Sequence, residues 1–329
     1  VTNNCQNREP SHDSRIDSRP GILMHPPEPP AGLHVLERGW LSANNIVFTC
    51  GEKTALIDSG YGTHAGQTVG LVEAVLCGRP LDRLVNTHLH SDHCGGNAAL
   101  QRRYPAVQTL IPPGQARYVA EWDPVALSYL PMGQFCPRFR FDATLEPGSS
   151  IQLGACLWEV HAAAGHDPHS LVFFEPRERI LISADALWEN GFGVVFPELE
   201  GEQGFAEVGA TLDLIERLNP AIVIPGHGRV FRHAPEILVK ARSRLDAFAK
   251  NPLIHARHAV KALLKFKLLE VQRQPLGDFF RWAAATPYFL LIHQRFFKEI
   301  PQGEWLRSLC AQLVGSGVAR VEDGCIINA

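Results

Sequence analysis

The run Thr87-His88-Leu89-His90-Ser91-Asp92-His93-Cys94-Gly95-Gly96 places three imidazoles and a carboxylate within six residues. Groups of this kind cost free energy when buried unless they find partners, so a cluster this dense calls for a ligand. Imidazole and carboxylate are good donors to borderline divalent cations. In an extended segment the i, i+2 spacing of His88 and His90 lets both side chains reach one ion. Asp92 and His93 follow one tight turn later and can face a second ion beside it. Three later residues complete a candidate site: His166 in AAGHDPHS, Asp185 in LISADAL and His227 in IPGHG. Each follows an apolar run of β character, and strand ends are where α/β folds gather functional groups.

The elements that must position these residues alternate between strand and helix. Short β-rich runs are expected at 34–40, 45–50 and 54–60, a helix over 63–77, and a buried strand at 81–88 leading into the histidine cluster. Helices are expected near 97–104 and 115–120, and 121–150 reads as an irregular, Pro- and aromatic-rich segment able to cover a substrate. Strands follow within 150–176 and at 179–187, then an amphipathic helix over 205–218 ending at Asn219-Pro220, then a strand at 221–228. Beyond Pro235 helices are expected at 236–250, 254–270, 275–285, 286–299 and 302–315, and a hairpin at 318–328 around Asp323-Gly324. This order predicts an α/β class with helices covering sheets. Three domain segments are expected: an extended arm at 1–32, a catalytic body at 33–235 and a helical, winged-helix-like accessory part at 236–329.

The ordered set H-x-H-x-D-H, H, D, H resembles the metallo-β-lactamase superfamily, in its broad glyoxalase II-like hydrolase branch, over about residues 34–230. The resemblance implies a four-layer αββα sandwich and a dinuclear metal site. By it, His88, His90 and His166 would hold the first metal, Asp92, His93 and His227 the second, and Asp185 would bridge them. True β-lactamases of the superfamily lack an aspartate where Asp185 falls, so antibiotic hydrolysis is disfavoured. Flavo-di-iron oxygen reductases carry Glu where His90 stands, which disfavours electron transfer. The expected chemistry is attack by a metal-bridging hydroxide on an acyl or phosphoryl centre, with Asp92 as a candidate proton acceptor. Two divalent ions are expected, with Zn first and Mn or Fe also suited to the ligand set.

Asp58 in LIDSG matches the family's strand-end aspartate, a support for the His-x-His loop. His169 reads as a loop histidine and Cys94 as a small packed residue. Trp188, Phe192, Phe196, Trp122, Tyr129, Met132 and Phe135 are candidates for the walls of an apolar substrate pocket. The other histidines, at 12, 25, 34, 64, 161, 233, 255, 258 and 293, show no ligand spacing.

The 329-residue chain carries 31 Lys/Arg against 34 Asp/Glu, a net charge of −3. That balance conceals a split of −10 over residues 1–239 and +7 over 240–329. Lys261, Lys265 and Lys267 in the basic part allow a second reading, a metal-dependent endoribonuclease or phosphodiesterase, although no β-CASP insertion is evident. A metal-stabilised binding protein is a third, disfavoured because all seven ligand positions are filled. Residues 186–228 contain only Arg217 as Lys or Arg, which argues against the carboxylates of a glutathione thioester. The preferred substrate is a small ester, lactone or thioester with an apolar portion. The eight cysteines form no C-x-x-C pair, no secretory signal or membrane span is evident, and a cytoplasmic protein with reduced thiols is expected. A homodimer is compatible with these features.

Overall fold

The computed structural model describes residues 29–329, so the expected arm at 1–32 lies outside the described residues except for its last four positions. The first sheet contains β1 (Leu33–Leu36), β2 (Asn45–Phe48), β3 (Ala55–Ile57), β4 (Arg83–Val85), β5 (Gln108–Ile111) and β6 (Ala143–Thr144), in that spatial order. The first three strands are antiparallel, and β3 to β6 run parallel. Parallel neighbours need crossovers. These carry α1 (Ala65–Leu76), α2 (Ser91–Cys94), α3 (Asn97–Arg103), α4 (Ala116–Glu121) and α5 (Tyr129–Met132).

The second sheet contains β7 (Ser150–Leu153), β8 (Cys156–Ala162), β9 (Leu171–Glu175), β10 (Ile180–Ala184), β11 (Ile222–Pro225) and β12 (Phe231–Arg232). Its one parallel pair, β10 with β11, is bridged by α6 (Phe196–Glu200) and α7 (Gly204–Leu218). Helix α7 stops at Asn219, whose left-handed φ of 47° caps it before Pro220, as the sequence predicts.

Strand side chains alternate between faces, and here both faces are buried. Ile46, Phe48, Ala55 and Ile57 of the first sheet meet Leu171, Phe173, Ile180 and Ile182 of the second in one central core. The intervening residues point outward. Val47, Leu56 and Leu84 pack on Val72, Leu76 and Leu100 of α1 and α3, while Val172, Phe174 and Leu181 pack on Val208, Leu212 and Ile215 of α7. Helix, sheet, sheet and helix are thus the four layers expected. Truncating a core residue such as Phe173, which is fully buried, costs about 3–5 kcal/mol.

Helix α8 (Pro235–Lys250) contributes Ile237, Leu238, Ala241 and Phe248 to the outer layer on the second sheet. The chain then continues through α9 (Pro252–Val271), β13 (Arg273–Pro275), α10 (Leu276–Ala285), α11 (Pro287–Phe296), α12 (Gln302–Gly315), β14 (Ala319–Glu322) and β15 (Cys325–Asn328). These elements share a separate core of Val260, Leu264, Phe279, Phe289, Ile292 and Leu309, into which Met132, Val194 and Leu199 of the sandwich also reach. The terminal hairpin turns at Asp323 and Gly324 with φ of 49° and 70°, the pair of positive values a two-residue hairpin loop requires. Its sheet order is β13-β15-β14.

Several expectations change in detail. The strand expected at 34–40 covers only Leu33–Leu36, because residues 37–44 form a loop over the site. The segment 121–150 is not wholly irregular, since it holds α5 and β6. Among the described residues no helix is long and apolar enough to cross a membrane.

Candidate metal centre

The seven candidate ligands arrive from four separate strand ends and converge on one edge of the two sheets. His88, His90, Asp92 and His93 follow β4, and α2 begins at Ser91, so a single helical turn brings Asp92 and His93 round to the same centre. His166 follows β8, Asp185 follows β10 and His227 follows β11. At the end of β10 the register shifts and Ala184 takes a φ of +47°. A left-handed non-glycine residue is costly, and here it turns the chain so that Asp185 faces the centre.

Three groups of donor atoms form, each with its members within 4.8 Å of one another: His88, His90 and His166; His88, His93 and Asp185; and Asp92, His93 and His227. His90 Nδ1 lies 3.1 Å from His88 Nε2 and 2.8 Å from His166 Nε2. His227 Nε2 lies 3.1 Å from Asp92 Oδ2, and Asp185 approaches His166 through Oδ2 at 3.3 Å and His93 through Oδ1 at 3.5 Å.

The outward-facing atoms fix which nitrogen points in. His88 Nδ1 donates to Thr87 Oγ1 at 3.0 Å, and Thr87 Oγ1 donates in turn to Asp58 Oδ2 at 2.8 Å. His93 Nδ1 donates to the same Asp58 oxygen at 2.7 Å, and His166 Nδ1 donates to the Val194 carbonyl at 2.5 Å. Such bonds set tautomer and ring orientation at metal sites. His90 presents Nδ1 instead and turns Nε2 toward Asp167 Oδ2, 3.7 Å away. His227 is held by stacking, with the Trp40 ring at 5.4 Å and tilted by 10°. Asp58 itself has a φ of 56° and is almost fully buried, as befits a support.

The donor set fits a pair of cations. Three imidazole lone pairs converging at about hydrogen-bond distance repel one another unless a proton or cation lies between them. His93 Nε2 is buried with no hydrogen-bond partner, as is His227 Nδ1. Burial and then the neighbouring imidazoles lower the pKa of His88 well below its usual value, and burial and His166 bring His90 to about 4. Both are therefore neutral, the ligating form. Burial works against ionisation at Asp185, yet His227, His93 and His166 hold it well below the usual carboxylate range. Burial likewise opposes a charge on His93, but Asp58, Asp185 and Asp92 together raise it well above normal. A site with this surplus of negative charge favours a cation.

The loop 37–44, missed by the sequence reading, ties the site together. Ala43 N donates to the Asp92 carbonyl at 2.9 Å, and Asn44 N to the Gly226 carbonyl at 2.7 Å. The Asn44 amide also donates to the carbonyls of Pro225 and Gly228. The only advance signal was an Asn pair just before a strand.

A cavity of about 570 Å³ opens on the centre. Of the aromatic and Met candidates, Trp188, Phe196 and Met132 line it. Trp122 and Tyr129 instead pack on Phe139, Phe192 is buried on the outer layer, and Phe135 is half exposed beyond the lining. Trp40, Gln134, Arg244, His258, Lys265 and Phe266 complete important parts of the wall. Basic groups missing from 186–228 are therefore supplied by Arg229, Arg244 and Lys265, which removes the argument against a carboxylate-bearing substrate. His169 packs against Gly114 and joins none of the donor groups. Cys94 is fully buried, with its thiol against the Leu89 and His90 carbonyls, the packed residue expected.

A family model described as the Metallo-beta-lactamase superfamily matches residues 38–227. The chain is 25% identical over 222 residues to a nitric oxide reductase of Moorella thermoacetica, covering 61% of this chain and 52% of that one. It is 26% identical over 183 residues to a hydroxyacylglutathione hydrolase of Thermosynechococcus vestitus, covering 55% and 60%. It thus spans little more than half the length of these curated relatives. Among solved structures, a beta-lactamase domain protein from Burkholderia ambifaria superposes with a TM-score of 0.57 at 21% identity, over 92% of this chain and 94% of that one. A metallo-beta-lactamase family protein from Thermus thermophilus gives 0.54 at 17% identity, over 91% and 99%. With the matched region containing the whole histidine–aspartate cluster, the chain belongs to the metallo-beta-lactamase superfamily.

Proposed function

We propose that the protein is a dinuclear metal-dependent hydrolase of a small ester, lactone or thioester. The observation that carries this reading is the convergence of His88, His90 and His166 beside Asp92, His93 and His227, with Asp185 reaching both groups. Two divalent cations held there, Zn foremost, would supply hydroxide at neutral pH and polarise the oxygen under attack. Asp58 and Thr87 keep His88 and His93 in the tautomers that accept a cation. Asp92 is the most accessible of the site carboxylates, with a side chain 15% exposed, and it is placed to take a proton as the tetrahedral adduct collapses. Trp40, Trp188, Phe196, Met132 and Phe266 receive the apolar part of the substrate and exclude water from the bond that breaks.

Relatives named as hydroxyacylglutathione hydrolases support thioesters as the first class to test. A phosphodiesterase working through Lys261, Lys265 and Lys267 fits less well. Lys265 donates to the carbonyls of Val318 and Ala329 and to Asn328, and Lys267 pairs with Glu270. Because α8 packs on the second sheet, the winged-helix-like part expected at 236–329 is read as starting at 252, and it helps to wall the cavity. Seven described cysteines are free, which suits a reducing, cytoplasmic setting. The test is a panel of thioesters, lactones, esters, phosphodiesters and RNA with metal-loaded protein and with Asp185→Asn. Hydrolysis of one of the first three classes, lost in the variant, supports the reading. Hydrolysis restricted to phosphodiesters or RNA overturns it.

A further inference from the structure

Three cations line the cavity, Arg229, Arg244 and Lys265, and they differ in how their donors are engaged. Arg244 of α8 lines the wall, and among the described residues no carboxylate lies within salt-bridge distance of it. Its guanidinium lies over the rings of Phe192 and Phe248, 5.6 and 5.2 Å from their centroids. Two hydrogen bonds are present: Nη1 to the Asn190 carbonyl at 3.4 Å and Nη2 to His258 Nε2 at 2.8 Å. A guanidinium has five N–H donors, so most of its capacity is unused. Burial lowers the Arg244 pKa somewhat from its ordinary value but leaves the group charged. His258 is brought to about 4 by burial, Arg244 and Lys261. It is therefore neutral, and its Nε2 lone pair orients the guanidinium without competing for an anion.

The other basic groups of the wall are differently placed. All three donors of Lys265 are taken by Val318, Asn328 and Ala329. Arg229 is solvent-exposed, where charge is screened. The Arg244 contact at Asn190 belongs to the loop that follows Asp185, whose Trp188 indole donates to Asp185 Oδ1 at 3.3 Å. Asp185, Trp188 and Arg244 thus follow one another along a single wall, from metal donors through an apolar surface to a cation. Glu189 also lines the cavity but forms no ion pair with Arg244.

We infer that Arg244, oriented by His258, is a carboxylate-binding subsite, so that the substrate is an ester or thioester with an apolar middle and a carboxylate at the end remote from the scissile bond. A planar fork of donors matches a carboxylate bidentately. This rests on the hydrolase reading, so the test has an arm that does not need turnover. Binding of phenylacetate is measured by calorimetry to metal-loaded wild-type protein, Arg244→Gln and Arg244→Lys, each checked by thermal melting. KM is measured in parallel for a thioester bearing a terminal carboxylate and for its methyl ester.

The expected result is a wild-type preference for the carboxylate thioester of about 10–100-fold in KM, the worth of one charge-assisted contact, collapsing toward one in Arg244→Gln. Phenylacetate affinity should fall by a similar factor in that variant and be partly kept in Arg244→Lys. Equal phenylacetate binding by wild type and Arg244→Gln, as a carboxylate sitting on the metals would give, overturns the subsite. If neither thioester is hydrolysed yet phenylacetate binding depends on Arg244, the subsite stands and the hydrolase reading fails. Should Arg244→Gln not fold, His258→Phe removes the orienting acceptor and should weaken phenylacetate binding; unchanged binding there also overturns the proposal.

Discussion

Replacing Asp58 by Asn tests how the cluster is held, because it changes one atom in a residue that touches no substrate. Asp58 accepts three short bonds, from Thr87 N at 2.9 Å, Thr87 Oγ1 at 2.8 Å and His93 Nδ1 at 2.7 Å, and a longer one from Asn86 Nδ2 at 3.5 Å. Asparagine keeps one acceptor, enough for the Thr87 amide, but turns N–H groups toward the His93 N–H. The imidazole then loses a bond to a charged acceptor, worth about 1.5–3 kcal/mol. Relief comes most cheaply by moving its proton to Nε2, the atom that faces Asp92 and Asp185. A protonated Nε2 cannot ligate, so affinity for the ion beside Asp92 and His227 should fall about 10–100-fold. The Thr87–His88 link is disturbed less, and the ion among His88, His90 and His166 should be retained more tightly. Competition with a chromophoric chelator reads both affinities. A folded Asp58→Asn protein holding two ions with wild-type affinity would refute the reasoning.

Two other perturbations bear on different parts of the molecule. His255 is fully buried, accepts the Val195 amide at 3.1 Å and has its pKa pushed down to about 3 by burial, His258 and Arg244. Below about 6.5 the unfolded chain gains a proton there that the folded chain refuses, so stability present at pH 7 is lost as pH falls, by about 2 kcal/mol at pH 5. Urea unfolding at pH 7 and 5 should show that loss in the wild type and a smaller one in His255→Leu; an equal loss in both would contradict the assignment. A Cβ at Gly226 would fall on Asp185 Oδ1 and come within 3.0 Å of His93. Gly226→Ala should therefore lower kcat/KM by about tenfold or more through overpacking of the site, with circular dichroism near that of the wild type. Wild-type kinetics would show that the loop yields freely.

How much of this was legible in the sequence depended on whether the information was local. The H-x-H-x-D-H run identifies itself, since ligands held on one strand end and one helical turn must be near neighbours in sequence. His166, Asp185 and His227 were legible because each closes an apolar strand. The alternation of Ile46, Val47 and Phe48 between central and outer cores follows from strand periodicity. The walls of the cavity were not legible in this way. Trp40 reaches His227 across 187 positions, and Arg244 and His258 come from successive helices, α8 and α9. Composition marks an aromatic or a basic residue but not the side of a loop or helix it occupies. That is why Trp122 and Phe192, expected at the pocket, lie in cores. The charge split points to the C-terminal lysines, yet Lys265 and Lys267 bond within their own module, and the part-buried cavity cation left with unused donors is Arg244.

If the seven side chains hold two metal ions that hydrolysis requires, bound metal and activity must rise together. Titration of metal-stripped protein with Zn²⁺, following bound metal by mass spectrometry and thioester hydrolysis together, measures both. Saturation is expected at two equivalents per chain, with activity rising to its maximum as the second is bound, and a loss of at least one equivalent in Asp185→Asn. Full activity in the stripped protein, or saturation at a single ion unaffected by Asp185→Asn, would contradict a two-ion centre.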